Sequence, residues 1–212
     1  MKKQYNVLLT FVALFFFACQ PPVTFDRPQP ADVKSINSFS GRIQGQYLSN
    51  ADHSILLITA NSLIRIYDYN TKIHVSQLDS SQQLIGDSLF DLNTNIGSPV
   101  VIEGDSIVQH IYERDTFFAI DEFNVLKKFK GYYFLNTITK NETWEVEKLE
   151  ISRGTLKLSS IDKAEDLAQL KAITETSQDT IPYIFAPSKR EFKTFVRNEG
   201  FRNSESFRKI KK

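Results

Sequence analysis

"SILLITA", Ser54–Ala60, followed after Asn61 by "SLIRIYDY", Ser62–Tyr69, decides the fold. Both runs are rich in β-branched and aromatic residues, and the polar pair Ala60-Asn61 separates them, so they read as a hairpin. In the second run Leu63, Arg65, Tyr67 and Tyr69 share one face, and Ile64, Ile66, Asp68 and Asn70 the other. Both faces are partly apolar, so this strand is expected to be covered on both sides. The pattern continues in "SPVVIE" (Ser98–Glu103), "SIVQHIYE" (Ser106–Glu113) and "TFFAID" (Thr116–Asp121), with turns expected at Gly104-Asp105, Arg114-Asp115 and Arg153-Gly154. Short strands with close turn signals indicate antiparallel hairpins. The expected class is mainly β (α+β).

A weak internal likeness divides the chain. "RIQGQYLSN" (Arg42–Asn50) resembles "KFKGYYFLN" (Lys128–Asn136), and further on Ile58 matches Ile151 and Leu63 matches Leu156. Two similar β units are therefore expected, 39–126 and 127–212, joined as one compact domain in a partly open barrel or a sandwich. Two short helices belong near the C-terminus. "DKAEDLAQLKAITE" (Asp162–Glu175) sets Leu167, Leu170 and Ile173 with Ala164 and Ala168 on one side. In "PSKREFKTFVRNEGF", Ser188 and Glu191 have capping-box spacing, and Phe192, Phe195 and Val196 form one apolar face. Gly200 stands where a left-handed C-cap belongs. This second helix reads as a lid or plug.

The start of the chain reads differently. Lys2 and Lys3 precede an apolar run from Val7 to Ala18, broken by Thr10. Its length suits a signal-peptide core and falls short of the about 20 residues that a bilayer span needs. "FFAC", Phe16–Cys19, resembles a bacterial lipobox with Phe16 in place of the usual leucine. With the Pro-rich stretch that follows, the segment resembles Bacteroidota lipoproteins. The resemblance implies a signal peptide at 1–18 and a lipid (palmitate in kind) on Cys19, the one cysteine in the chain. Residues 19–38 hold Pro21, Pro22, Pro28 and Pro30 and read as an extended tether reaching roughly 60 Å at most. The alternative is that Val23–Phe25 docks as an edge strand. No acidic retention signal follows Cys19, which points to the outer membrane, periplasmic side.

"IGDSLFDL", Ile85–Leu92, contains the Gly-Asp-Ser-Leu block that resembles the GDSL lipases and esterases, in which the serine is the nucleophile. That resemblance would make Ser88 an acyl-transfer residue. The family also carries an Asp-x-x-His block near its end, and no such block occurs here; the histidines are His53, His74 and His110. The tripeptide recurs in "EGDSIVQH", Glu103–His110, so both copies read as hairpin turns in which Gly-Asp bends the chain and Ser-aliphatic starts a strand. Asp-Ser/Thr-aliphatic triplets at Asp87, Asp105 and Asp179 also resemble O-glycosylation sites of Bacteroidota exported proteins.

Other chemistry is sparse. The histidines lack metal-ligand spacing. Asp91, Glu103 and Glu122 do not select an acid/base pair, and no phosphate loop occurs. "KGYYFLN" with Trp144 supplies aromatics for cross-strand pairs or a ligand platform. The formal net charge of +1 argues against nucleic acid. From Lys189 to Lys212, nine Lys/Arg face three Glu, a solvated face or a contact for anionic headgroups. The expected function is a lipid-anchored envelope protein, a non-enzymatic binding or scaffolding module without cofactor. Its partners are the membrane, through Cys19, and an envelope protein. The alternatives are a carrier with an apolar cavity capped by the Phe192 helix, or a hydrolase using Ser88.

Overall fold

A computed structural model describes residues 23–174, 176–178 and 181–210. The chain builds a large mixed, mostly antiparallel open sheet with two short helices in its C-terminal half. The first meander is β2 (Gly45–Ser49), β3 (Ile55–Ile58) and β4 (Ser62–His74). The second is β10 (Tyr132–Ile138), β11 (Trp144–Ser152) and β12 (Thr155–Ser160). The last strand, β15 (Asn203–Lys209), pairs with both β12 and β2 and joins the two units into one sheet. The internal likeness has a counterpart here: Ile58 pairs with Leu63 as Ile151 pairs with Leu156, and Tyr47 and Tyr133 enter the same core.

Beyond β4 lies β8 (Ser106–Ala119), and beyond β10 lies β9 (Asn124–Phe129). The sheet curls until Phe118 of β8 and Leu126 of β9 share one core with Tyr47, Leu56, Leu149 and Phe207. Phe39 seals the gap, its ring centroid 5.7 Å from Tyr133 and 6.4 Å from Phe118. The Phe39 N–H donates to Ala60, and the Ile36 N–H donates to Leu126, so residues 36–39 bridge the two ends.

Arg114-Asp115 is not a turn. β8 runs through it, with Arg114 opposite Ile66 and Asp115 opposite Arg65. Opposite charges across a strand pair favour continued pairing over a bend. The Gly86-Asp87 and Gly104-Asp105 pairs are two-residue hairpin loops, with both glycines at φ 61°.

The second face of β10 and β11 is also buried. Tyr133 and Leu135 point into the first core, and Phe134 points the other way, into a cluster with Val146, Leu170, Phe185, Phe192, Phe195 and Phe201. The helices α1 (Ala164–Ile173) and α2 (Lys189–Arg197) cover that face. The expected first helix is shorter at both ends, starting after Lys163 and stopping at Thr174. Asp166, fully buried, accepts from the Arg202 guanidinium at 2.6 Å and from the Arg202 N–H at 2.9 Å, fixing α1 to the chain after α2. In α2 the Ser188 and Glu191 capping box forms as expected. The helix lies on the outer aromatic cluster and not over the first core. Gly200 does not supply a left-handed cap; Glu199 and Phe201 take positive φ instead. Gly200 is required by space, because a Cβ there would lie 2.5 Å from the Phe195 ring.

Residues 23–38 do not form a free tether. β1 (Val23–Phe25) inserts beside β14 (Tyr183–Phe185), in parallel, and meets β11 at Trp144. β13 (Thr176–Gln178) completes that edge. The prolines lack N–H groups, but their carbonyls still accept: the Lys127 ammonium donates to Pro28 at 2.7 Å and to Pro30 at 2.9 Å. Asn136, fully buried, accepts the Gln29 N–H and donates to the Gln29 carbonyl.

Two outcomes follow from this packing. Phe195→Ala should cost about 3–5 kcal/mol, because its cavity cannot collapse among rings, whereas Ser188→Ala should cost about 1 kcal/mol. Thermal melts should order them so, and equal small shifts would mean that α2 is a surface appendage. Asn136→Ala strands both Gln29 backbone groups at about 1–3 kcal/mol each, which urea unfolding would register as a lower midpoint at unchanged slope.

Candidate functional site

The strands that bury Phe134 also build a charged cleft. Alternation along β11 puts Lys148 on the face of Trp144 and Val146. Lys148 is only 9% exposed. Its ammonium lies 5.4 Å from the Tyr132 ring centroid and 5.5 Å from that of Phe201. Among the described residues it has no hydrogen bond and no ion pair. Burial pulls its pKa below the usual lysine range, Lys157 adds to that, and Glu150 and Asp166 oppose it.

The cleft above Lys148 encloses about 710 Å3, within the usual range for small-molecule sites. One wall is sheet: Tyr132, Glu150 and Lys157. The other is α2 and the turn after it, where Lys193, Val196 and Arg197 fall on one side of the helix. Six cationic groups (Lys130, Lys148, Lys157, Lys193, Arg197 and Arg202) face two carboxylates, Glu150 and Glu199. Arg202 is already held by Asp166.

On the opposite face of β11, Glu147 borders a smaller hollow of about 390 Å3 with Arg65 and Glu205. The Arg65 guanidinium forks onto Glu205 at 3.0 and 2.5 Å and lies 5.5 Å from the Phe207 ring centroid. Burial, aided by the nearby Glu145 charge, pushes the Glu147 carboxyl up to about 7, while Arg65 pulls it down.

A third feature is the arm. β4 and β8 stay paired to His74 and Ser106, well past Ile66, the last β4 residue paired with β3. At its tip β5 (Gln82–Ile85), β6 (Ser88–Asp91) and β7 (Ile96–Glu103) add a meander around Leu89, Val100 and Ile107. Register and alternation place Ile85, Val101, Val108 and Tyr112 on one face. Three of them are exposed: Ile85 by 52%, Val101 by 62% and Tyr112 by 60%.

The residues singled out in the sequence lie elsewhere. Cys19 is outside the described residues, as is Asp179. Ser88 opens β6 directly after its hairpin loop. The His74 ring meets Ser76 at 2.7 Å, and the His110 ring meets Asn70 at 3.2 Å. Among the described residues no three His, Cys, Asp or Glu side chains gather to hold a metal ion. Sequence reasoning missed the cleft, although Tyr132 of the suspected aromatic platform lines it. The available signal was Lys148 itself, a lysine in register with Trp144 and Val146 on the apolar side of its strand. No family model matches the chain, and no curated protein or solved structure matches it.

Glu147 gives a pH test. Its folded pKa, about 7, stands above the ordinary value of 4.5, so the folded state binds the extra proton between these values. Its contribution to stability is therefore full below about pH 4.5 and is lost as pH rises through 7, a loss on the order of 3 kcal/mol. Melting temperatures at pH 5 and pH 8 should diverge more for the native chain than for Glu147→Gln. Equal differences would remove Glu147 as the cause.

Proposed function

We propose that the chain is a lipid-anchored cell-envelope protein on the periplasmic side of the outer membrane, a non-enzymatic binding or scaffolding module that holds an envelope protein with its arm. The anchor rests on the lipobox-like Phe16–Cys19; no helix among the described residues is long and apolar enough to cross a membrane. The observation that favours partner binding is the exposed apolar stripe Ile85, Val101 and Tyr112 on a ribbon that extends past the core. Exposed apolar groups concentrated on one arm, with Ile96 and Ile102 on its other face, mark interaction surfaces. An arm with its own small core presents that face without exposing the main cores to solvent.

A photo-crosslinking residue at Val101, introduced in the native cells, should give one adduct of defined mass. Val101 is exposed, so the arm tolerates the replacement. The adduct should vanish when Ile85→Glu and Tyr112→Glu are added, and the same probe at Glu142, on a distant turn, should not give it. Identical patterns from both positions, or no adduct from either, would sink the partner reading. In the same cells Cys19→Ala should release the chain from carbonate-washed membranes; retention would sink the anchor.

A further inference from the structure

We propose that the cleft between α2 and the outer face of β10–β12 is a binding site for an organic phosphate, with Lys148 at its floor. This does not depend on the arm or on the anchor.

Three observations meet here. The first is charge. Lys130, Lys157, Lys193 and Arg197 line the cleft with Lys148, and among the described residues none of the five is in an ion pair. Against Glu150 and Glu199 the excess suits a ligand with more than one negative charge, which a phosphate monoester has and a single carboxylate lacks. The second is the buried lysine. Its stem is buried while its ammonium opens into the cleft without a hydrogen bond or an ion pair among the described residues; partial burial still disfavours its charge, and the two nearby rings, with the more distant Glu150 and Asp166, offset only part of that. An anion in the cleft supplies the missing partner and favours the charged form. The third is the wall. Phe129, Tyr132, Val196 and Phe201 border the same space, so an apolar or ring-bearing part of the ligand has a surface to lie on while its phosphate meets the cations. Arg197 offers a fork for two phosphate oxygens, and the lysines act as point charges.

A headgroup of an anionic phospholipid and a free phosphate ester share this chemistry. The test separates them. Phenyl phosphate is titrated calorimetrically into the purified full-length protein at low salt. In parallel, the protein is sedimented with phosphatidylcholine vesicles and with vesicles that also contain phosphatidylglycerol. The variants are Lys148→Met, which keeps the buried stem and removes the charge, and the exposed pair Lys193→Gln with Arg197→Gln, which leaves the cores untouched. Native protein should bind phenyl phosphate, with roughly tenfold or more loss of affinity in each variant and weakening as salt rises. Binding confined to phosphatidylglycerol vesicles, and reduced in both variants, supports the site and names a headgroup as its source. Any lipid on the chain acts equally in both vesicle types and cancels in that comparison. No response to either probe, or a response unchanged in both variants, overturns the proposal. The arm crosslink would be unaffected by that result.

Discussion

Phe134 and its neighbours Tyr133 and Leu135 point to opposite sides of β10, and both sides are buried. The body of the domain follows from that double burial. On one side the sheet must curl to cover Tyr133 and Leu135, and Phe39 with β15 completes the curl. On the other side helices must cover Phe134, which Phe192 does at 5.2 Å between ring centroids in an edge-on contact. A strand that faced solvent on one side would leave α1, α2 and β1 without a surface to dock on. The body of the fold is thus two cores sharing a wall, with β10 and β11 as the wall and the arm's small core apart from both.

The same wall carries charges of opposite sign. Glu147 and Lys148 are consecutive, so alternation sends one toward the Arg65–Glu205 hollow and the other toward the α2 cleft. Burial disfavours the charged form of each, raising the acid and lowering the base. Backbone hydrogen bonds of β11 to β10 and β12 fix both positions, so neither side chain can escape by moving the strand. Each hollow therefore holds an ionisable group that is stabilised when something of opposite charge arrives.

Features set by local rules were legible in the sequence. The Ser188 and Glu191 capping box needs only residues within one turn of helix, and the Gly86 and Gly104 loops need only two residues and a glycine at positive φ. The β2–β4 and β10–β12 meanders were legible for the same reason. What depended on distant partners was not. Arg114-Asp115 looked like a turn until Arg65 stood opposite Asp115. Gly200 looked like a backbone requirement and is a steric one, set by Phe195. The prolines at Pro28 and Pro30 looked like a tether because they lack donors. Their carbonyls are used by Lys127, about a hundred residues away in the chain, which composition does not report. The cleft is the extreme case, since Lys148 and Arg197 meet only after α2 has folded onto β11.

Docking of β1 also changes what a lipid on Cys19 would do. An unstructured run of twenty residues would let the domain range tens of ångströms from a bilayer. Instead Val23 is in a strand, four residues after Cys19. Fully extended, four residues reach only about 14 Å. An anchored domain would then be held against the headgroups by the edge that contains β1. Phe25 of that strand touches Phe192, at 6.0 Å between ring centroids, and Phe192 belongs to the helix whose other side lines the basic cleft. β1 and α2 thus form one continuous path of contacts that leads from Val23 to the cleft. The cleft would be kept near the membrane surface, where anionic headgroups raise the local concentration of its ligand class and attract its cations.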